Sequence, residues 1–257
     1  MTSGLREQME APYVIAASVT GPLHAELGIG CQDRVGHITD GSSLAVAVAD
    51  GLGSASLGAE GARVAVTAAM RKAVTSFEDR ECLSAGLLLR ARLALEVEAE
   101  IRSVDLRDLA CTLIVCIARG GVVEVGHVGD GAVVARSRDG LILLSSPGES
   151  EYSNEVDHLA MERWESAARF SAMSDKVDSV AAFTDGCQRA ALAKGPEGRL
   201  PHGGFFDPIF KWAMAAEDHH HSETELSGLL MSGKMAEHSE DDKTLAIAVL
   251  ARDASVR

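Results

Sequence analysis

Short apolar runs alternate with glycine-rich turns along this chain. The longest patterned stretch is Leu44 to Val66, LAVAVADGLGSASLGAEGARVAV. It predicts a buried strand delivering Asp50 and Gly51 at its tip, a turn through Gly53 and Gly58, and the start of an alanine-rich helix. Residues 1 to 11 read as a frayed end, and Tyr13 to Val19 predicts a strand. The segment Gly21 to His37 has turn glycines around Gln32, Asp33 and Arg34, which places Asp33 near the start of a second strand, able to face the same point as Asp50. Two helices are expected next. One covers Ser56 to Phe77, with Val64, Ala68 and Val74 along one stripe; the other runs from about Glu81 to Arg102.

The hydrophobic period then shortens. Thr112–Ala118, Val122–Val128, Ala132–Arg138 and Leu141–Ser145 read as strands, separated by Gly120-Gly121, Gly129-Asp130-Gly131 and Asp139-Gly140. That spacing predicts an antiparallel meander rather than a βαβ repeat. His127 lies inside one of these strands, as a satisfied core or edge histidine. Residues 146–179 are polar and irregular, a flap or insertion with an amphipathic piece from Leu159 to Phe170. Val180–Thr184 is a further buried strand that again ends in an acid and a glycine, Asp185-Gly186. Helices are expected over Phe205–Ala216 and Ser222–Met235, the second with Ser222 and Glu225 as a capping box. Glu240-Asp241-Asp242 then precedes a last strand, Thr244–Leu250. With no linker and no internal repeat, the pattern predicts one domain over 1–257.

Charge narrows the partners. A net charge of −14 argues against a nucleic-acid backbone or an anionic membrane. No apolar run is long enough to span a bilayer, and no basic-then-apolar signal opens the chain. The five cysteines at 31, 82, 111, 116 and 187 lack CxxC spacing, which suits a reducing cytoplasm better than disulfides or zinc.

Three chemistries compete for the Asp50 corner. An acid beside a glycine at a strand tip suits an oxygen-loving metal. Asp50 is otherwise a helix-capping acid at a strand-turn-helix corner. Gly51, Gly53 and Gly58 also resemble a dinucleotide cradle, but the spacing departs from G-x-G-x-x-G and a helix follows where a parallel strand should come. The run His219–His221 is either a transition-metal site or a solvated loop. More telling is the recurrence of Asp33, Asp50, Asp185 and Asp241 at strand ends. Converging carboxylates repel unless cations lie between them, and an all-oxygen set favours Mg²⁺ or Mn²⁺ over zinc. Two such ions would activate a water and clamp a phosphoryl group.

Seven segments then resemble, in order, the metal-dependent protein phosphatases of the PP2C (PPM) type in their bacterial branch. They are CQDR (31–34), VADGLGSASLGA (48–59), DLACT (108–112), VGDGAVV (128–134), EYSNE (151–155), FTDG (183–186) and DDKTLAIAVL (241–250). The resemblance implies an α+β fold, an α/β/β/α sandwich of two stacked antiparallel sheets flanked by helices. It implies Asp50 as the acid bridging two ions, Gly51 as a carbonyl ligand, Asp185 and Asp241 as further ligands, and Asp33 on the second ion's side through water. Asp108 matches an acid used for a third, weaker ion, and Asp130 a supporting acid. The implied activity is serine/threonine phosphoprotein hydrolysis by a hydroxide bridging Mn²⁺ or Mg²⁺ ions, on a phosphorylated kinase or its target. Two departures stand out. The family's phosphate-holding arginine is replaced by Gly28-Ile29-Gly30, leaving His24 or Arg34 as substitutes, and Leu52 stands where animal members carry a histidine. The alternatives are a non-catalytic relative that binds phosphoproteins or partners, and a hydrolase of small phosphoesters.

Overall fold

The structure is a computed structural model that describes residues 11–77, 83–148, 156–174, 177–196 and 198–250. Its strands in chain order are β1 (Tyr13–Val19), β2 (Arg34–Asp40), β3 (Ser43–Ala49), β4 (Leu113–Arg119), β5 (Val122–Val128) and β6 (Ala132–Ser137). They continue with β7 (Gly140–Ser145), β8 (Arg169–Met173), β9 (Val177–Phe183), β10 (Leu192–Gly195), β11 (Gly198–Pro201) and β12 (Lys243–Val249). The helices are α1 (Pro22–Glu26), α2 (Gly58–Val74), α3 (Leu83–Arg102), α4 (Trp164–Ala167), α5 (Gln188–Ala191), α6 (Gly203–Met214), α7 (His219–Leu230) and α8 (Gly233–Ala236).

The strands form two antiparallel sheets, ordered β1-β12-β9-β6-β7 and β2-β3-β4-β5-β8, with β10 and β11 as a separate hairpin. Continuous apolar strands arise here because both faces of each sheet are covered. Along β3, Leu44, Val46 and Val48 enter the layer between the sheets, against Val133, Val180 and Ala246. The alternate residues Ala45, Ala47 and Ala49 meet α2 and α3, which bring Ala62, Ala65, Leu87 and Leu95. Small residues on that face let the helices lie close. On the opposite side Phe206 and Phe210 of α6 and Leu226 and Leu230 of α7 cover Ile15, Ala181 and Ile247. The result is the expected α/β/β/α sandwich.

Several local expectations are corrected. Gly129-Asp130-Gly131 is not a hairpin turn, because β5 belongs to one sheet and β6 to the other. The segment crosses the sandwich so tightly that a Cβ on Gly131 would lie 2.5 Å from the Phe183 carbonyl oxygen. Val64 and Ala68 face the core, but Val74 is 55% exposed. At about 100° per residue it has turned off their stripe. Part of the expected insertion is a strand of the second sheet, since β8 pairs with β5, and a β10–β11 hairpin stands before α6 where no strand was expected. The helix expected at Ser222 starts at His219 instead. Asp218 is its N-cap, its side chain accepting from the His221 amide at 3.0 Å, while Ser222 Oγ donates to the Asp218 carbonyl at 2.8 Å. Glu225 is drawn away by Trp212 Nε1, 3.1 Å from its Oε2. The EYSNE segment and Cys82 lie outside the described residues. No helix among the described residues is long and apolar enough to cross a membrane.

Candidate metal centre

Four strand ends meet at one edge of the sandwich, two from each sheet. Asp33 immediately precedes β2 and Asp50 immediately follows β3; Asp185 lies just beyond β9, and Asp241 just before β12. Antiparallel pairing of β2 with β3 and of β9 with β12 brings each pair to the same end.

The main chain at Asp50 is clamped by Thr112. The Asp50 amide donates to Thr112 Oγ1 at 3.0 Å, and the Thr112 amide donates to the Asp50 carbonyl at 2.8 Å. Gly51 packs against Gly58, where a Cβ would lie 2.3 Å from the Gly58 carbonyl carbon, so no larger residue fits beside the acid. Asp50 does not cap the following helix: α2 starts from Leu57 with no side-chain cap. A dinucleotide site is excluded too, since α2 is followed by another helix and every sheet neighbour is antiparallel.

Asp33 is 1% exposed and receives a hydrogen bond from Thr184 Oγ1 at 2.8 Å. Thr184 Oγ1 in turn accepts from the Thr244 amide at 3.0 Å, tying β9 to β12 beneath the acids. The Asp33 and Asp50 carboxyls face each other closely enough to interact directly. Burial pushes the Asp50 carboxyl well above its ordinary range, and repulsion from Asp33, Asp185 and Asp241 adds to it. Asp33 is raised mainly by burial, with Asp242 adding repulsion against the relief its hydrogen bonds give. Burial also raises Asp185, to about 7, with Asp130, Asp241 and Asp33 contributing repulsion. Asp130 is raised by burial and by Asp241. The acids therefore converge, and burial with mutual repulsion raises the Asp33, Asp50, Asp130 and Asp185 carboxyls above their ordinary range. An oxygen-only set with this much unrelieved repulsion fits hard divalent cations.

The remaining candidates are placed differently. Both Asp108 oxygens are engaged: Oδ1 accepts from Ser56 Oγ at 2.8 Å and Oδ2 from the Asp105 amide at 3.2 Å, as part of a capping box on the 3-10 turn Leu106–Leu109. Arg34 Nη1 donates to the carbonyls of Cys31 at 3.1 Å and Asp33 at 2.9 Å, bracing the loop that carries Asp33. His24 Nδ1 lies 2.9 Å from Asp242 Oδ2, an ionic distance at an angle poor for a hydrogen bond. Leu52 is half-buried against Ala55, Ala110 and Ala160. His127 is a buried core histidine, its Nδ1 2.8 Å from Ser145 Oγ and its ring against Arg169; burial, reinforced by Arg169, keeps it neutral. His219 stacks on Tyr13 with ring centroids 4.3 Å apart, and among the described residues the run 219–221 forms no metal-ligating group.

Sequence reasoning missed Asp242 and Lys243. Asp242 is 2% exposed; its Oδ1 accepts from the Gly21 amide at 2.7 Å and its Oδ2 from the Gln32 amide at 2.6 Å. One ligating atom each of His24, Asp241 and Asp242 lies within 4.8 Å of the others, but the Asp242 oxygens are already committed to backbone donors. Lys243 is fully buried and donates from Nζ to the Asp241 carbonyl at 2.7 Å, which fixes the main chain beneath the exposed Asp241 carboxylate. Gly186 completes the corner, since a Cβ there would lie 1.9 Å from the Asp242 carbonyl oxygen. A buried acid beside a candidate ligand acid was legible only as a doubled Asp. Asp242→Ala is expected to cost about 1–3 kcal/mol for each backbone donor it orphans. Urea unfolding of the metal-free protein measures this, and a loss below about 0.5 kcal/mol would contradict the anchoring role.

The carboxylate cluster at the end of two stacked antiparallel sheets has the donor chemistry of a divalent-cation enzyme. The family model described as protein phosphatase 2C matches residues 20–231. The chain belongs to the protein phosphatase 2C family. It is 34% identical, over 93% of its length and 98% of the relative's, to serine/threonine-protein phosphatase 3 of Escherichia coli (strain K12). Solved structures share the fold, two of them with bound metal. The catalytic domain of the serine threonine protein phosphatase PstP, in complex with 2 manganese ions, matches with a TM-score of 0.59 at 16% identity, covering 93% of this chain and 97% of that one. RsbX in complex with magnesium matches with a TM-score of 0.57 at 14% identity, covering 95% and 97%.

Proposed function

We propose that this chain is a metal-dependent serine/threonine phosphoprotein phosphatase, with Mn²⁺ or Mg²⁺ held by Asp50, Asp185 and Asp241. The observation that carries the reading is the convergence of buried, mutually repelling carboxyls from both sheets, with Asp185 raised to about 7. Asp50, repelled by three other acids, would be the principal acid holding the ions. Gly51 offers its carbonyl, and Asp33 supports Asp50 from the neighbouring strand of the same sheet. Asp130 serves as the supporting acid beside Asp185. When bound, the cations supply a water of lowered pKa and neutralise charge on the transferred phosphoryl group. The chain's own residues hold those charges in place: Thr112 fixes the Asp50 backbone, Thr184 fixes Asp33, and Lys243 fixes the Asp241 backbone. Leu52 has no proton to give. His24, held beside Asp242, and Arg34 are the candidates for holding the substrate phosphate. A phosphorylated kinase or its target, in the cytoplasm, is the fitting substrate.

The test is hydrolysis of an aryl phosphate and of a phosphothreonine peptide, with and without Mn²⁺. Metal-dependent release of phosphate from both is expected. Release from the aryl phosphate alone would favour a small-phosphoester hydrolase, and release from neither a non-catalytic relative.

For Asp108 we propose the ligand of a third, weaker ion, freed from its capping contacts when that ion binds. Asp108→Ala is expected to cost about 1 kcal/mol through the lost cap and to lower turnover, while calorimetry still detects the two tighter sites. Loss of those tight sites would show that Asp108 belongs to them instead.

A further inference from the structure

The outer face of α3 carries an apolar stripe that no part of the described chain covers. Leu89, Leu93, Val97 and Ile101 recur every four residues and are 49%, 42%, 54% and 73% exposed. Together they form a ridge of about 18 Å at 1.5 Å per residue. The inner stripe of the same helix, Leu87, Leu88, Ala91, Leu95 and Ala99, already satisfies the core. The helix is therefore apolar on two sides, and contiguous exposed apolar surface of this kind marks an interaction site.

The flanking charges select the occupant. Of the charges beside the stripe, Arg92 and Glu96 are paired with each other within the chain, which leaves Arg90 toward the start and Glu98 and Glu100 toward the end. Laying a second copy antiparallel on the first puts each basic half against an acidic half, twice over. We propose that α3 is a homodimerisation surface, with a second copy of this chain packing antiparallel along Leu89, Leu93, Val97 and Ile101.

The register follows from the two-fold symmetry. In such a pair the same flank of each helix meets its own copy. One flank reads Arg90, Ala94, Glu98, Arg102. With the half-buried Ala94 on the axis, Arg90 faces Glu98 of the second copy, and the small side chain permits close approach. In that register each of Leu89, Leu93 and Val97 falls between two stripe residues of the other helix, as ridge-into-groove packing requires. Arg92 takes no part, since its guanidinium turns inward to Glu96 and to the carbonyls of Leu159 and Met161. Glu98 is shared with Arg102 of its own chain. A seam one helix wide is smaller than the roughly 800 Å² per partner of a stable interface, so the dimer is a weak, reversible one.

Sedimentation equilibrium of the full chain across micromolar to millimolar concentration tests this. Wild type is expected to shift from monomer to dimer with concentration, and less so at high salt. Leu93→Glu should remain monomeric throughout with an unchanged unfolding midpoint, because the side chain it replaces is exposed. Arg90→Glu should weaken association several-fold, as for two symmetry-related surface ion pairs, and adding Glu98→Arg should recover it. A wild type that stays monomeric overturns the proposal, as does a dimer indifferent to Leu93→Glu. Failure of the double variant to recover overturns the antiparallel register.

Discussion

Asp50→Ala and Asp185→Ala are each expected to lower metal-dependent turnover at least about a hundredfold, since a bound metal contributes several kcal/mol to the transition state. Asp50 has the largest expected effect, because Asp33, Asp185 and Asp241 all act on its carboxyl. The fold is expected to survive both changes: both carboxyls are destabilised where they stand, so removing one relieves repulsion in the metal-free protein. Steady-state rates with saturating Mn²⁺, beside a thermal melt in chelator, separate the two effects. Turnover like that of wild type in both variants would eliminate the proposed centre.

The second large effect is on stability. A cation that binds only the folded state stabilises it by about 2.7 kcal/mol at a hundred times its Kd, roughly a 5–10 °C rise in Tm for a chain of this size. Wild type should show this rise in millimolar Mn²⁺ relative to EDTA. Asp185→Asn should lose most of it, yet in EDTA be as stable as wild type or more so. pH provides an independent check. The Asp185 carboxyl, raised to about 7, keeps its proton in the folded chain where the unfolded chain, near 3.9, has released it. Between about pH 4 and 7 the folded state binds more protons, so metal-free stability falls as pH rises through that window. An ordinary ion-paired carboxylate would do the opposite. The Asn variant should flatten the fall. A metal-free wild type that gains stability from pH 4 to 7 would refute the assignment.

Much of this fold was legible because two covered faces leave strands with unbroken apolar runs. β5 spans Val122–Val128 as its run implied, and β4, β6 and β9 differ from their runs only at the ends. β8 was illegible for the converse reason: its residues, Arg169–Met173, alternate between half-buried and exposed at a sheet edge. The crossing at Gly129–Gly131 defeated local reasoning because glycine and aspartate announce a turn but not which sheet the chain enters next. That is decided by Phe183 and Ile114, whose atoms occupy the space a Gly131 Cβ would need. At the site, doubled acids and Asp-Gly pairs marked the carboxylates. Of the residues that hold them, Asp242 was visible only as the second of a doubled acid, and Thr112, Thr184 and Lys243 carry no mark, because their partners are backbone groups or side chains distant in sequence.

Each sheet supplies two of the four acids, and the layer between the sheets is otherwise packed with aliphatic side chains. A cation held among those acids is thus a further cross-link between layers that the main chain already joins near that end through Gly129–Gly131. Parting the sheets there exposes charges that the ion had neutralised, so the ion retards opening as well as favouring the closed state. Its signature is slower amide hydrogen exchange at the ends of β3 and β9 together, in strands that share no hydrogen bond. Chelation then acts like cutting a stitch in a seam: the two leaves remain folded, but the edge between them begins to breathe.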